Sequence, residues 1–459
     1  MDAFDVGVIG SGPGGYVAAV RAAQLGGRVV VVEDEALGGT CLNWGCIPTK
    51  TMLTGVKFLH GLERAREFGV TGEARLDWSQ LLKKKNRVVA RLRKGIEVLF
   101  RNHSVTLVSG RGRVSSRGTI EVRREDGSAE SLSARGILLA TGSVPTGLPG
   151  VELDGERILD SKDALDLEEP PKSVLIIGAG AIGCEFAHLL ASAGTRVVVV
   201  ELLDRLLPLV EDGDVSSTLH QVFRKRGVEL HLGVKVASVE KRPDGVSVTL
   251  EGGEVIDVEK VLVSVGRRPR IDGLGLETVG IELSPGGIRV DDGLRTSADG
   301  FWAIGDVTGK MALAHVASAQ GIVAAENAMG GSRTLSYDVI PACVFTEPEV
   351  ASVGMTESVA EREGKDVAVG RFPWVASGRA QATGETVGFV KVLVEPKTDR
   401  VLGAQVVGPE ATSLVAELAL AMEGGVPAGR ILETVHAHPT YTEAVAEAVG
   451  AALGRGIHA

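Results

Sequence analysis

Phe4-Asp5-Val6-Gly7-Val8-Ile9-Gly10-Ser11-Gly12-Pro13-Gly14-Gly15 runs an apolar strand straight into a glycine-rich loop. An Ala-rich helix to about Leu25 follows, then a second strand, Arg28 to Val32, closed by Glu33. This is strand, Gly-x-Gly-x-x-Gly, helix, strand, acid, the order of a dinucleotide-binding βαβ unit. Gly10 permits the tight turn, Gly12 lets backbone approach a pyrophosphate, and Gly15 lets helix and strand pack closely. The helix N-terminus faces the phosphates, and Glu33 is placed to bond ribose hydroxyls.

The unit then returns. Ser173–Ile177 reads as a strand, Gly178-Ala179-Gly180-Ala181-Ile182-Gly183 as the loop, and Arg196–Val200 as the next strand, capped by Glu201. The first glycine moves from 10 to 178 and the acid from 33 to 201, so both shift by 168. Such an internal repeat predicts two dinucleotide sites, one for a flavin and one for a nicotinamide, and so a two-cofactor electron path. Glu201 accepts from a free ribose 2′-hydroxyl and repels a 2′-phosphate, which favours NAD over NADP, although Arg205 lies nearby.

Between the repeats stands Gly38-Gly39-Thr40-Cys41-Leu42-Asn43-Trp44-Gly45-Cys46-Ile47-Pro48-Thr49-Lys50. In a straight helix residues five apart are separated by roughly 8–9 Å, whereas a disulfide needs Cα atoms roughly 4.4–6.8 Å apart. Bonded sulfurs therefore require a bend here, which Gly39, Gly45 and Pro48 permit, before a helix runs on from Thr49. Cysteines at a helix start lie in a field that favours the thiolate. Spacing alone leaves a redox dithiol and a buried or metal-binding pair both open. A metal site would want four ligands, and no second cysteine pair exists to complete it.

At 459 residues the chain can hold about three domains, and 44% hydrophobic content with 61 glycines suits a turn-rich α/β protein. A formal charge of −10 argues against nucleic acid or anionic membrane as main partner. No apolar run reaches transmembrane length, because Val29–Val32 and Val197–Val200 stop at an acid. The acidic start, Met1-Asp2-Ala3-Phe4-Asp5, reads as neither a signal nor a transit peptide, so none is expected. Four cysteines do not make a secreted disulfide framework, so a reducing cytoplasm is expected.

Four domains are expected: 1–145 for the first dinucleotide site, 146–270 for the second, 271–340 completing the first, and 341–459 as a C-terminal α+β domain with apolar surface suited to a subunit interface. Glu168–Lys172, with Pro170-Pro171, reads as the linker before the second repeat. Trp78–His103 is an amphipathic segment whose Lys83, Lys84, Lys85, Arg87, Arg91 and Arg93 read as a solvated face. Thr141-Gly142-Ser143 is a strand-to-turn edge beside the first site. Asp306 ends the strand Phe301–Ile304, where it either meets a ligand or caps the following helix. In His436-Ala437-His438-Pro439-Thr440-Tyr441-Thr442-Glu443, His438 with a carboxylate five residues on reads as a base with an orienter, against a satisfied loop histidine. His436 is a rival for that role. Cys184 and Cys343 read as small buried residues.

With Cys41/Cys46, the two glycine loops, Gly305-Asp306 and His438-Pro439 in that order, nearly the whole chain resembles the flavoprotein disulfide reductases. Gly39-Thr40-Cys41-Leu42-Asn43, Gly45-Cys46-Ile47-Pro48, Leu313-Ala314-His315, Arg379-Ala380, Gly388-Phe389-Val390-Lys391 and His436-Ala437-His438-Pro439-Thr440 fit its dihydrolipoamide-oxidising branch. The resemblance implies FAD on Gly10, Gly12 and Gly15, with Glu33 on its ribose. Gly39, Thr40, Lys50, Gly112, Thr141, Gly142, Ser143, Asp306 and Ala314 would surround the remainder. NAD is implied on Gly178, Gly180 and Gly183, with Glu201 on its ribose and Gly266 nearby. Cys41 and Cys46 would be the redox disulfide, Lys50 and Glu185 an ion pair beside the flavin, and His438 with Glu443 the base of a homodimer, acting on the other subunit. No lipoyl-like domain precedes residue 4, so the lipoyl group is expected on another protein, of a 2-oxo acid dehydrogenase or glycine cleavage complex. A mercuric reductase would need a further C-terminal cysteine pair, which Arg455–Ala459 lacks, and glutathione-type enzymes normally use NADP, which Glu201 disfavours. A transhydrogenase would not need Cys41 and Cys46, and a redox-idle subunit would not retain them with His438. Departures are Trp44 where the family has a small residue, Thr49 for serine, and Gln320 for glutamate.

Overall fold

Strands apolar on both faces belong in a parallel sheet covered on both sides, and Phe4–Ile9 lies that way in the computed structural model, which describes residues 3–458. Val6, Val8 and the run Val29–Val32 are buried. The chain forms two units, one of residues 1–51, 82–146 and 266–336, the other of residues 52–81, 147–265 and 337–459.

In the first unit Phe4–Ile9 pairs in parallel with Val29–Glu33, Val6 opposite Val29, and with the end of Ala129–Leu139, Val8 opposite Leu138. Thr106–Ser109 and Phe301–Ala303 extend the sheet at its two sides, both in parallel. Ala129–Leu139 changes partner along its length, since its first half pairs antiparallel with Thr119–Arg123 in a hairpin to Arg111–Ser116. Helices Pro13–Gln24 and Ala314–Ala328 pack closely because small residues allow it: a Cβ on Gly321 would stand 2.5 Å from the Gly14 carbonyl oxygen. The basic segment is the helix Trp78–Asn102, and its Val89, Ile96 and Phe100 join the core. Lys83, Lys84, Arg87, Arg91 and Arg93 are solvated, but Lys85 is buried. It lies one helical turn before Val89, so the stripe that faces the core carries it inward.

The second unit repeats the plan. Ser173–Ile177 pairs in parallel with Arg196–Glu201 and Lys260–Val263, with Glu229–Leu232 and Ile158–Leu159 outermost. A meander of Val236–Arg242, Gly245–Leu250 and Val255–Val258 packs on this sheet through Val246, Val248 and Ile256. Ile158–Leu159 already belongs to this sheet, so Glu168–Lys172 joins elements inside the second unit and the division falls at residues 146 and 147. Trp78 Nε1 donates to the Leu167 carbonyl at 2.8 Å, which holds that segment down.

The C-terminal part of this unit is a five-stranded antiparallel sheet in the order Ala342–Val344, Glu349–Gly354, Arg400–Gly408, Phe389–Glu395 and Ala368–Pro373. Helices Ala411–Glu423 and Glu443–Ala452 bury Leu414, Leu418, Val445 and Val449 against it. Gly370 permits the second contact, because a Cβ there would lie 1.9 Å from the Ala448 carbonyl oxygen. Lys391, 1% exposed, meets Asp212 at 2.6 Å, and Asp212 also caps helix Gly213–Lys225. Cys184 is buried and Cys343 half-buried. Among the described residues no helix is long and apolar enough to cross a membrane.

Candidate active site

The two glycine loops have one geometry, 168 residues apart. Gly10 and Gly178 hold φ of +97° and +102°, and a Cβ on either would collide with backbone. A Cβ on Gly15 would stand 2.0 Å from the Gly10 carbonyl oxygen, and one on Gly183 1.9 Å from that of Gly178. Gly12 and Gly180 differ: they are the N-caps of helices Pro13–Gln24 and Ala181–Ser192, with no side-chain cap, and a Cβ would meet nothing closer than Gly39 Cα at 4.0 Å on Gly12 and nothing within 4 Å on Gly180. First-turn N–H groups left without a cap suit a pyrophosphate.

The acids match as well. Glu33 accepts from Ser11 N–H at 2.8 Å, from Ser11 Oγ at 2.5 Å and from Glu35 N–H at 2.9 Å. Glu201 accepts from Ala179 N–H at 2.6 Å and Leu203 N–H at 2.9 Å, the positions that the repeat predicts. Burial pushes the Glu33 carboxyl up, against the bonds from Ser11 and Glu35 that pull it down. Ser11 has no counterpart hydroxyl at Ala179, and only comparing the two halves of the repeat would single it out.

The cysteine stretch lies against the first loop. A Cβ on Gly39 would meet Gly12 Cα at 2.7 Å, and Gly38 N–H bonds the Ser11 carbonyl at 3.1 Å. Cys41 sits in the short helix Gly39–Trp44, Gly45 breaks it at φ −140° and ψ −116°, and Cys46 opens helix Cys46–Ala65. The bend is therefore at Gly45, where any side chain would strike the Thr40 carbonyl oxygen at 2.8 Å. The second helix starts three residues before Thr49, because Pro48 falls in its first turn, where no N–H bond is lost. Both cysteines are thiols here. A hydrogen bond to Cys46, with burial, raises the Cys41 thiol far above its usual range, while the Lys50 ammonium acts the other way.

The strand ends bring further candidates of this unit together. Ser143 Oγ donates to Asp306 Oδ2 at 2.5 Å and accepts from Arg267 Nε at 2.7 Å. Asp306 is therefore tied to the Ser143 turn, and helix Ala314–Ala328 begins after Leu313 with no side-chain cap. Gly305 N–H donates to Oε1 of the fully buried Gln320 at 2.5 Å, which gives that residue a place in the loop's support. Thr141 Oγ1 donates to the Arg270 carbonyl at 2.7 Å, Gly142 has open space before it, and Gly112 packs over Ile9 and Val32. Gly266 falls in this first unit, where its carbonyl accepts from Thr146 N–H at 2.9 Å. Arg267 escaped the sequence reading because its contact spans 124 residues and leaves no local signal.

In the second unit Glu185 is buried and accepts from Phe345 N–H at 3.0 Å. His438 Nδ1 lies 2.8 Å from Glu443 Oε1, and Thr440 N–H donates to Glu443 Oε2 at 2.8 Å. Burial raises the Glu443 carboxyl, but the Thr440 N–H and the imidazole outweigh it and hold that carboxyl below the usual range. His438 is 78% exposed. His436, 9% exposed, has Nε2 on Glu417 at 2.9 Å and Nδ1 on the Thr434 carbonyl at 2.9 Å, so both its nitrogens are engaged. Of the two histidines, His438 alone offers a free nitrogen to a substrate.

His60, His188 and Glu347 form a further cluster, with ligand-capable atoms within 4.8 Å of one another. Arg226 donates to His188 Nδ1 at 2.7 Å, so the proton is on Nε2, and Arg64 bonds Glu347. Two guanidinium groups stand where a cation would need open ligands.

The sequence matches the family model for pyridine nucleotide-disulphide oxidoreductases over residues 4–321, and that family's dimerisation domain over residues 340–449. A dihydrolipoyl dehydrogenase of Chlorobaculum tepidum is 44% identical over 456 residues, covering 98% of this chain and 97% of that protein. One from Bacillus subtilis is 40% identical over 470 residues, 99% of each. Among solved structures, LpdA from Mycobacterium tuberculosis superposes with a TM-score of 0.91 at 32% identity, over 97% of this chain and 98% of that one. The flavoprotein disulfide reductase RclA from Escherichia coli does so with 0.89 at 28% identity, over 98% and 99%. Two glycine-loop units, a thiol pair across a helix break and a C-terminal dimerisation domain make this chain a member of the pyridine nucleotide-disulphide oxidoreductase family, an oxidoreductase that uses FAD and NAD.

Proposed function

We infer that the chain is a dihydrolipoamide dehydrogenase, oxidising dihydrolipoamide to lipoamide with NAD⁺ as final acceptor. The observation that carries this is the Cys41/Cys46 pair, near enough to share a proton across the Gly45 break, with Lys50 close by. FAD, when bound, would supply a two-electron acceptor for the dithiol, with NAD⁺ as the final hydride acceptor. The unit holding Gly10, Gly12, Gly15, Glu33, Ser143 and Asp306 would bind FAD, and the one holding Gly178, Gly180, Gly183 and Glu201 would bind NAD.

With Cys41 and Cys46 joined as a disulfide, His438 of the partner subunit takes a proton from one substrate thiol. Its Nδ1–H points at Glu443, so Nε2 is the base, and the carboxylate stabilises the imidazolium that forms. The substrate thiolate attacks Cys41 Sγ and Cys46 leaves as a thiolate. The second substrate thiol then attacks its own mixed sulfur, which releases lipoamide and leaves both cysteines reduced. The second thiol's proton then stays with the pair, whose Cys41 thiol is raised by its hydrogen bond to Cys46 and by burial. The exposure of His438 supports service to a second copy, and the lipoyl group is carried by a protein of a 2-oxo acid dehydrogenase or glycine cleavage complex in a reducing cytoplasm.

The test is NAD⁺ reduction by dihydrolipoamide, run beside NADP⁺ and with Cys46→Ser. NADH formation with NADP⁺ poor, and a loss on the order of a thousandfold in the variant, is the expected outcome. No turnover from a protein whose flavin NADH still reduces would transfer the assignment to another disulfide.

A further inference from the structure

The segment that carries the base has few internal ties. Glu443 bonds His438 and the Thr440 N–H, and Thr440 Oγ1 donates to the Ala437 carbonyl at 2.7 Å. These contacts fix the segment's shape. Besides the His436–Glu417 contact at its start, it is attached to the body of the second unit through Tyr441, whose ring meets the fully buried Trp374 edge-on, with centroids 5.8 Å apart. Trp374 is itself locked by a bond from Nε1 to the Val407 carbonyl at 2.7 Å. The Arg379 guanidinium lies 5.5 Å from the other ring's centroid, that of Tyr441.

The hydroxyl is held as firmly. Tyr441 donates to Glu385 Oε2 at 2.8 Å, and Thr383 Oγ1 lies 2.7 Å from the Tyr441 hydroxyl oxygen. Glu385 pairs with Arg64 at 3.3 Å, and Arg64 also bonds Glu347, which meets His60 at 2.7 Å. Arg64 belongs to the helix that opens at Cys46. A carboxylate acceptor anchored by a second charge gives a stronger and more directional bond than a neutral acceptor.

We propose that Tyr441 is the positioning residue of the base: its hydroxyl, held by the Glu385–Arg64 pair, fixes the 436–443 segment so that His438 and Glu443 meet the substrate thiol in register. This deepens the proposed function and rests on His438 being the base. Burial raises the Tyr441 hydroxyl's pKa, so it stays a donor across the working pH range. Since Tyr441 touches no reacting atom in this scheme, losing its bond misaligns proton transfer and leaves substrate binding largely alone.

Steady-state kinetics with dihydrolipoamide and NAD⁺, beside NADH reduction of ferricyanide, which needs neither dithiol nor base, tests this. Tyr441→Phe is expected to lower kcat roughly tenfold while KM stays within about twofold, with the ferricyanide rate unchanged. Glu385→Ala is expected to match it, the double variant to lose no more, and Glu385→Gln, which keeps a carbonyl acceptor, to recover most of kcat. A kcat within about twofold of the parent, or losses that multiply in the double variant, overturns the proposal. Should Tyr441→Phe lose the ferricyanide rate too, Glu385→Ala alone carries the test. His438→Gln separates the two levels: if it abolishes dithiol oxidation while Tyr441→Phe leaves kcat within about twofold of the parent, only the positioning role falls. If His438→Gln leaves dithiol oxidation intact, the base assignment falls first.

Discussion

Residues decide the chemistry through what each touches. Cys41 and Cys46 were readable as a pair from their spacing, but the hydrogen bond between them and the nearby Lys50 ammonium are contacts that spacing does not reveal. The choice between His436 and His438 likewise waits on burial: 9% against 78% side-chain exposure separates a tied residue from an available one. Trp44, half-buried in the turn of helix between the cysteines, is the large residue beside the thiols. Trp44→Val is expected to lower the KM for dihydrolipoamide about threefold with little change in kcat. An unchanged KM would remove Trp44 from the substrate's approach. Gln320 reads as an unexplained departure in the sequence, and the bond from Gly305 N–H gives it a use as a neutral, buried acceptor behind Asp306.

Elements were the most legible level, because the glycine loops are dictated by local backbone geometry. A residue at φ near +100° with no room for a Cβ is glycine in any such unit, so the motif and its context identify each other. Gly183→Ala puts a methyl 1.9 Å from the Gly178 carbonyl oxygen and must push the helix N-terminus away. Its expected result is a rise in the Kd for NADH of about tenfold or more, read by titration, with flavin content unchanged. Gly15→Ala is expected to do the reverse and yield colourless protein that keeps its nicotinamide affinity. Flavin retained in Gly15→Ala would remove FAD from the first loop. Ends of elements were less legible: the helix after the cysteines begins at Cys46 because Gly45 alone breaks the run and Pro48 is tolerated in a first turn.

At the scale of the whole molecule, charge buried in the second unit links its stability to pH. Burial, with Arg226 and His60 beside it, pushes His188 down to about 3, so the native state keeps it neutral. Burial raises Glu347, but His60 and Arg64 overcome it and hold that carboxyl down at about 2. The unfolded chain binds a proton at His188 below about pH 6.5 and the native state does not. Its contribution is therefore intact above that pH and is lost as pH falls toward 3, at a limit of about 1.4 kcal/mol per pH unit. Glu347 adds to the loss below its ordinary range, near pH 4.5. Urea unfolding of the second unit is expected to weaken by about 2 kcal/mol from this histidine between pH 6.5 and 5, and His188→Gln to flatten that slope. An unchanged slope in the variant would place the acid sensitivity elsewhere.

The sequence by itself determined the two dinucleotide units, the acids that close them, the thiol pair and the C-terminal sheet-and-helix part. Those features rest on backbone rules and periodicities that act over a few residues, and a repeat of 168 exposes them twice. Only the tertiary structure decided that Arg267 holds Ser143, that Gln320 holds Gly305, that Lys85 lies inside, and that Tyr441 reaches Glu385. A side-chain bond between residues 15 to 124 positions apart leaves no periodic mark in the chain, because its partners are brought together by the packing of elements rather than by their spacing.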